Sequence, residues 1–286
     1  MMVKTNMRDL IDPVAAAMPG TVSARLRAMC EPPEAPLGAR PAAFEGLTDG
    51  SVPQGLEIEP VALGNPCAAY ARLSFDRPAL ESEHAGRIFA RFIRPAGTAR
   101  ASDLAPLVLM FHDAGRPVRG WHHMTRFAAL GYAVLALEGD PHIDRGDAAA
   151  LSALAADALA LARVAFELPG IDPERICAWG DGVGGALAVH VNARSGGRIV
   201  KTVTCGLYPV SSDDAPVSLD VMALASLMRG ELLMGIGLRD ELASPEANAA
   251  LAHASGAEAT FIVYPEHAHE RINEFENAAL RFLHFD

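Results

Sequence analysis

The sequence predicts a doubly wound α/β fold, and three observations support this prediction. Six short apolar runs are spaced along the chain between residues 107 and 264. Helical segments rich in alanine and leucine separate several of these runs, and a glycine-rich turn joins one run to a helix. Apolar runs of this length are typical of parallel strands that are buried on both faces. We therefore expect a mostly parallel central sheet with helices on both faces.

The elements follow in a regular order along the chain. Residues 1–65 are rich in proline and show only a short helical pattern near 22–29, so we interpret them as an N-terminal extension that packs on a domain of residues 66–286. Two runs separated by a polar connection predict an antiparallel entry to the sheet, at 67–75 and 86–93. The parallel strands are predicted at 107–111, 133–137, 176–179, 200–205, 232–236 and 260–264. The later helices are predicted at 147–168, 183–193, 245–254 and 270–283.

Composition and charge exclude several classes of function. The formal net charge is −11, and no run of five basic residues occurs, which argues against nucleic acid as a partner. The polar N-terminus and the early prolines Pro13 and Pro19 predict neither a signal peptide nor a membrane span. The four cysteines form no C-x-x-C pair, and Cys177 and Cys205 fall in apolar runs. We expect a cytoplasmic protein without a membrane partner.

A glycine-rich turn carries the most informative pattern. Residues 179–185 read Trp-Gly-Asp-Gly-Val-Gly-Gly, which has the spacing of a G-x-S-x-G nucleophile elbow with glycine in the serine position. Such a tight strand-to-helix turn needs small residues two places before and two places after the nucleophile, and Gly180 and Gly184 supply them. Gly182 itself has no side chain that could attack a carbonyl carbon.

Further polar residues follow other predicted strands. The elbow, then Asp240, then His269 occur in the chain order of nucleophile, acid and base that α/β-hydrolases use. The chain resembles the acetyl xylan esterase and cephalosporin C deacetylase family, and more loosely dienelactone hydrolases. The stretches that carry this resemblance are Ile171–Ile176 with the elbow, Gly235–Asp240 followed by Pro245, Tyr264–Pro265 with His269–Glu270, and Phe111–His112 followed by Trp121 and Gly131–Tyr132.

The resemblance, which covers about residues 65–286, implies an α/β-hydrolase fold and a role for each matching residue. Asp240 would be the triad acid and His269 the triad base, and Gly182 would occupy the place of the nucleophile. The oxyanion hole would involve Ala114 and Val183. The family has glycine and tyrosine where this chain has Asp113 and Ala114, so a carboxylate would stand near the place where an oxyanion develops. The remaining cleft candidates are Asp113, Asp181 and His112.

These observations lead to two hypotheses about function. The first is an acetyl xylan esterase-like protein that is impaired as a serine carboxylester hydrolase and keeps a cleft for a small acylated or sugar-like ligand. The second is an active esterase or deacetylase that uses a water activated by His269 and Asp240, or Asp181, or a metal. The loops are rich in histidine and aspartate, but no fixed metal-binding spacing occurs, so we expect no metal and no cofactor. The resemblance also implies a homo-oligomer, because the related deacetylases commonly form hexamers.

Overall fold

The structure is a computed structural model that describes residues 20–29, 53–77, 86–96, 104–114, 120–139, 143–208 and 219–285. The described helices are α1 (Gly20–Met29), α2 (Trp121–Ala129), α3 (Ala148–Glu167), α4 (Val183–Arg194), α5 (Val221–Leu224), α6 (Pro245–Ala254) and α7 (Asn273–Phe282). The described strands are β1 (Glu57–Val61), β2 (Ala68–Asp76), β3 (Arg87–Pro95), β4 (Ala105–Phe111), β5 (Ala133–Glu138), β6 (Ile171–Asp181), β7 (Ile199–Cys205), β8 (Glu231–Gly237) and β9 (Glu258–Tyr264).

These strands form a single sheet in the order β1-β2-β3-β5-β4-β6-β7-β8-β9. The β1–β2, β2–β3 and β3–β5 pairs are antiparallel. The pairs from β5 through β9 are all parallel. The predicted antiparallel entry and the predicted parallel sheet are both confirmed.

The two faces of the sheet are buried in two separate hydrophobic clusters. Helices α3, α4 and α6 cover one face, where Leu109 and Ala178 are fully buried. Helices α2 and α7 cover the other face, where Met110 and Trp179 are fully buried. Because neighbouring residues of a strand point to opposite faces, the continuous apolar run in β4 supplies both clusters. This arrangement confirms the prediction of helices on both faces.

Helix boundaries follow the capping residues in the sequence. Asp147 accepts hydrogen bonds from the amides of Ala149 and Ala150 at the start of α3. Ser244 accepts a hydrogen bond from an amide in the first turn of α6, whose first residue is Pro245 as predicted. Helix α7 begins at Asn273, three residues later than the predicted start, because residues 270–272 belong to the loop that carries the histidine.

Part of the predicted N-terminal extension belongs to the sheet. Strand β1 pairs along its whole length with β2, although sequence periodicity gave no sign of a strand there. Helix α1 also contacts the domain, since the Arg25 side chain donates a hydrogen bond to the Leu238 carbonyl and forms an ion pair with Glu246. Residues 1–19 and 30–52 lie outside the described residues, so the boundary at residue 65 stays a prediction.

Among the described helices, α3 is long and apolar enough by composition to cross a membrane. However, 61% of its apolar window is buried inside the protein, against the sheet and α4. Such burial is typical of a core helix in a globular domain, where the same apolar residues pack against protein instead of lipid.

Candidate active site at the elbow after β6

The turn from β6 into α4 has the geometry of a nucleophile elbow. Gly182 lies at its tip with φ +55° and ψ −122°, a conformation that residues with a side chain rarely adopt. A Cβ atom at Gly180 would come within 3.0 Å of the Gly184 carbonyl, and a Cβ atom at Gly184 would come within 3.0 Å of the Phe111 carbonyl. Both flanking positions therefore require glycine for steric reasons, in agreement with the elbow spacing.

Asp240 and His269 form a hydrogen-bonded pair beside this turn. Asp240 follows β8 and His269 follows β9, so both stand beyond the carboxyl ends of neighbouring parallel strands. The Nδ1 atom of His269 lies 2.9 Å from Oδ2 of Asp240. The other carboxylate oxygen of Asp240 accepts hydrogen bonds from the amides of Leu242 and Ala243. Asp240 is thus buried and fixed, and it orients the imidazole as a triad acid does.

The carboxylate of Asp113 occupies the space beside Gly182, at the predicted nucleophile position. A Cβ atom built on Gly182 would come within 3.0 Å of the Oδ1, Cγ and Oδ2 atoms of Asp113. Oδ2 of Asp113 lies 3.2 Å from Nε2 of His269, the nitrogen that would face a serine hydroxyl. Asp113 therefore does more than stand near the reaction centre: its carboxylate fills the space that a serine side chain would need.

The same carboxylate also accepts a hydrogen bond from Val183, a predicted member of the oxyanion hole. The amide of Val183, the residue after the nucleophile position, donates a 3.0 Å hydrogen bond to Oδ1 of Asp113. This amide is the donor that an α/β-hydrolase aims at the developing oxyanion. Ala114, the second predicted member of the hole, is buried immediately after Asp113.

Arg145 completes the arrangement and was not predicted from the sequence. Its Nη2 atom donates a 2.7 Å hydrogen bond to Oδ2 of Asp113. Arg145 lies in the connection between β5 and α3, where no recognisable motif surrounds it. Its side chain is 33% exposed, whereas that of Asp113 is 2% exposed, so the guanidinium lies between the buried carboxylate and the surface.

The charges in this network stabilise one another. Burial alone would raise the pKa of Asp113, but hydrogen bonds from His269, Arg145 and the Val183 amide hold that pKa below its usual value. Burial alone would lower the pKa of His269, but its bonds to Asp113 and Asp240 raise that pKa to about 9. At neutral pH the imidazole is therefore protonated and donates to a carboxylate from each nitrogen.

The structure separates Asp181 from this network. The Asp181 carboxylate lies 3.8 Å from the guanidinium of Arg271, and the indole of Trp179 donates to it over 3.4 Å. Arg271 also forms an ion pair with Glu276, which receives a hydrogen bond from Arg126. Asp181 is thus part of an ion-pair cluster between the elbow and α7. This placement does not support the hypothesis of an Asp181 nucleophile.

The sequence also suggested His112 as a cleft residue and the His- and Asp-rich loops as a possible metal site. His112 is half-buried directly before Asp113. Within the described ranges, no group of three or more histidine, cysteine and acidic side chains has an arrangement that could hold a metal ion. Two residues of the His- and Asp-rich loops, Asp140 and His142, lie outside the described residues.

The chain is similar to known esterases in part of its sequence and in its fold. The acetyl xylan esterase family model matches residues 217–285, a segment that contains Asp240 and His269 and begins after the elbow. An acetyl xylan esterase from Paenibacillus sp. R4 has 15% sequence identity and a TM-score of 0.67, over 81% of this chain and 88% of that chain. Acetyl xylan esterase 1 from Thermoanaerobacterium sp. JW/SL YS485 has 17% identity and a TM-score of 0.67, over 99% and 98%.

A more distant neighbour has the same fold. A putative dienelactone hydrolase from Klebsiella pneumoniae has 21% identity and a TM-score of 0.51, over 74% of this chain and 97% of that chain. No curated protein matches the chain in sequence.

The sheet topology, the elbow and the structural neighbours together define an α/β-hydrolase fold. One part of the chain, residues 217–285, is in addition similar to the acetyl xylan esterase family.

Proposed function

We propose that this protein is an acetyl xylan esterase-like α/β-hydrolase that is impaired as a serine carboxylester hydrolase. The observation that carries the proposal is the pairing of Gly182 with Asp113. The first residue provides no nucleophile, and the carboxylate of the second fills the space that a nucleophile would occupy. Loss of a nucleophile removes the acyl-enzyme route, in which a hydroxyl attacks the carbonyl carbon and the histidine takes its proton.

The occupied oxyanion position adds a second impairment. An ester carbonyl can develop negative charge only where donors are free to receive it, and each such donor contributes about 3–4 kcal/mol to lowering the barrier. Here the Val183 amide already donates to Asp113. A substrate carbonyl placed at this amide would also meet the negative charge of the carboxylate, which opposes an oxyanion.

The protonation state of His269 argues against hydrolysis by an activated water. A general base must be unprotonated, with its free nitrogen directed at the water. The pKa of His269 is raised to about 9, so its imidazole carries a proton on both nitrogens at neutral pH. Its Nε2 atom is directed at Asp113, which leaves no lone pair for a water molecule.

Hydrolysis of p-nitrophenyl acetate by the purified protein tests this proposal. We expect the wild-type rate to equal the rate in buffer and to stay unchanged in His269→Ala. A wild-type rate above the blank that disappears in His269→Ala would overturn the proposal.

A reconstruction experiment tests the two impairments separately. Gly182→Ser alone should remain inactive, because its side chain would collide with Asp113, and Asp113→Gly alone should remain inactive, because it has no nucleophile. The double variant Asp113→Gly/Gly182→Ser should show measurable esterase activity that is lost on adding His269→Ala. Strong activity in Gly182→Ser alone would show that Asp113 does not block the site.

The cleft hypothesis is part of the same proposal. A small acylated or sugar-like ligand would bind beyond the strand ends, where α/β-hydrolase ligands bind. With Asp113 in place, the acyl group of such a ligand has no access to the Val183 amide. We therefore infer that binding of an acyl group at this point depends on displacement of Asp113.

A further inference from the structure

We propose that the elbow site is a binding site for a small carboxylate, which the chain keeps closed with its own Asp113. This inference rests on the proposed function and names the chemical class of ligand that the impaired site accepts. The geometry points to a carboxylate because the group that fills the site is itself a carboxylate, bound through both oxygens by three separate elements of the fold.

The donors form a coherent set around this group. One oxygen accepts a hydrogen bond from the Val183 amide, the first amide of α4 after the elbow. The other oxygen accepts hydrogen bonds from the Nε2 atom of His269 at 3.2 Å and from the Nη2 atom of Arg145 at 2.7 Å. An amide at a helix N-terminus, an imidazolium and a guanidinium are the donor types that bind carboxylates most strongly.

Charge balance explains why the site requires an anion. The network contains two carboxylates, Asp113 and Asp240, and two cations, His269 and Arg145, so its charges cancel. Without the Asp113 carboxylate, the Arg145 guanidinium, the Nε2 atom of His269 and the Val183 amide would lose the carboxylate that they share. A buried charge without a partner is costly, and a neutral ester or amide supplies no compensating charge. A free carboxylate supplies both the charge and the two acceptor oxygens.

The size of the Asp113 side chain determines which small carboxylates can test the proposal. Replacing Asp113 with glycine removes a CH₂–COO⁻ group, whose place acetate can take, and replacing it with alanine removes the COO⁻ group, whose place formate can take. We expect Asp113→Gly to bind acetate and Asp113→Ala to bind formate, with both variants stabilised as the anion concentration rises. The measurements are thermal unfolding and isothermal titration calorimetry, with sodium chloride used to keep the ionic strength constant. Circular dichroism establishes that each variant is folded.

Three controls make the result specific. Acetamide has the shape of acetate without its charge and should not stabilise Asp113→Gly. The wild-type protein should bind acetate at least about tenfold more weakly than Asp113→Gly, because its site is occupied. Adding Arg145→Gln to Asp113→Gly should weaken acetate binding by about tenfold or more, since a charged hydrogen bond is lost.

Two outcomes would overturn the proposal. The first is a folded Asp113→Gly and a folded Asp113→Ala that respond to acetate or formate no more than to chloride. The second is equal acetate affinity in the wild type and in Asp113→Gly, which would place the anion elsewhere. Neither outcome depends on the esterase assay of the wild type, so this proposal and the proposed function can fail separately.

Discussion

The contact between position 182 and Asp113 predicts a measurable energetic coupling. The perturbation is Gly182→Ala, which adds a single methyl group at the tip of the elbow. That methyl carbon would lie within 3.0 Å of the Asp113 carboxylate, and the backbone at Gly182 has φ +55°. The substitution therefore combines backbone strain with a steric collision.

The two contributions can be separated with a matched glycine. Gly131 also has a positive φ, of +89°, but a Cβ atom there would have nothing within 4 Å. Backbone strain of this kind costs about 1–3 kcal/mol, which is all that we expect for Gly131→Ala. Forcing atoms into filled space adds about 1–3 kcal/mol, so Gly182→Ala should cost about 2–6 kcal/mol in total. That is a large share of the roughly 5–15 kcal/mol by which a domain is stable.

A double-mutant cycle in urea measures the coupling. In the Asp113→Gly background the obstructing carboxylate is absent, so the cost of Gly182→Ala should fall to the cost of Gly131→Ala. The coupling free energy between positions 182 and 113 should then be about 1–3 kcal/mol. The reasoning is refuted if Gly182→Ala costs no more than Gly131→Ala in the wild type, or if its cost is the same in both backgrounds.

Three further predictions concern charged groups. The pKa of His269 is raised to about 9, so its ion pairs stabilise the folded protein fully below about pH 6.5, and up to about 3 kcal/mol is lost as the pH rises to 9. His269→Gln should remove that decrease in urea unfolding measured at pH 6.5 and pH 9, and an unchanged decrease would contradict the assignment. Asp181→Asn should leave the p-nitrophenyl acetate rate equal to the wild-type rate, because its carboxylate faces Arg271; abolition of a wild-type activity would instead identify Asp181 as the nucleophile. Arg77→Ala should cost about 2–3 kcal/mol, because it leaves the buried carboxylate of Asp157 without its two hydrogen bonds. Asp157→Asn should cost less, since burial raises the pKa of that carboxyl despite the Arg77 bond, and equal losses in urea would contradict this reasoning.

Much of the fold could be predicted because its parallel strands are buried on both faces. Burial on both faces requires the continuous apolar runs that mark β4, β5, β6 and β8 in the sequence. Strand β1 could not be predicted in this way, because its residues are mostly exposed and its pairing with β2 depends on backbone hydrogen bonds. Helix α2 was also missed, since it is short and begins with three consecutive large side chains, Trp121, His122 and His123.

The candidate site could also be predicted only in part from the sequence. The elbow, Asp240 and His269 each stand in a local motif, so the elbow spacing and the resemblance to the esterase family were enough to predict Gly182, Asp240 and His269 as site residues. The resemblance to the esterase family implied that Asp113 would lie near the oxyanion position, but it could not predict which atoms the carboxylate would contact. Arg145 belongs to no motif, and only the three-dimensional path of the β5–α3 connection brings it to Asp113.

The physical relation between Gly182 and Asp113 is one of complementary volume and charge. An elbow without a side chain leaves a small space bordered by an amide and a histidine, and an empty space of this kind would lose packing and leave donors unpaired. The Asp113 carboxylate fills that space and accepts hydrogen bonds from those donors. Together with Asp240 it raises the pKa of His269, so the imidazolium is held between two anions. Gly182 leaves the space that the Asp113 carboxylate fills, and Asp113 pairs the donors that would otherwise be unpaired beside Gly182. A substitution at only one of these two positions must therefore destabilise the site. Under the proposed function, recovery of esterase chemistry therefore requires both changes together.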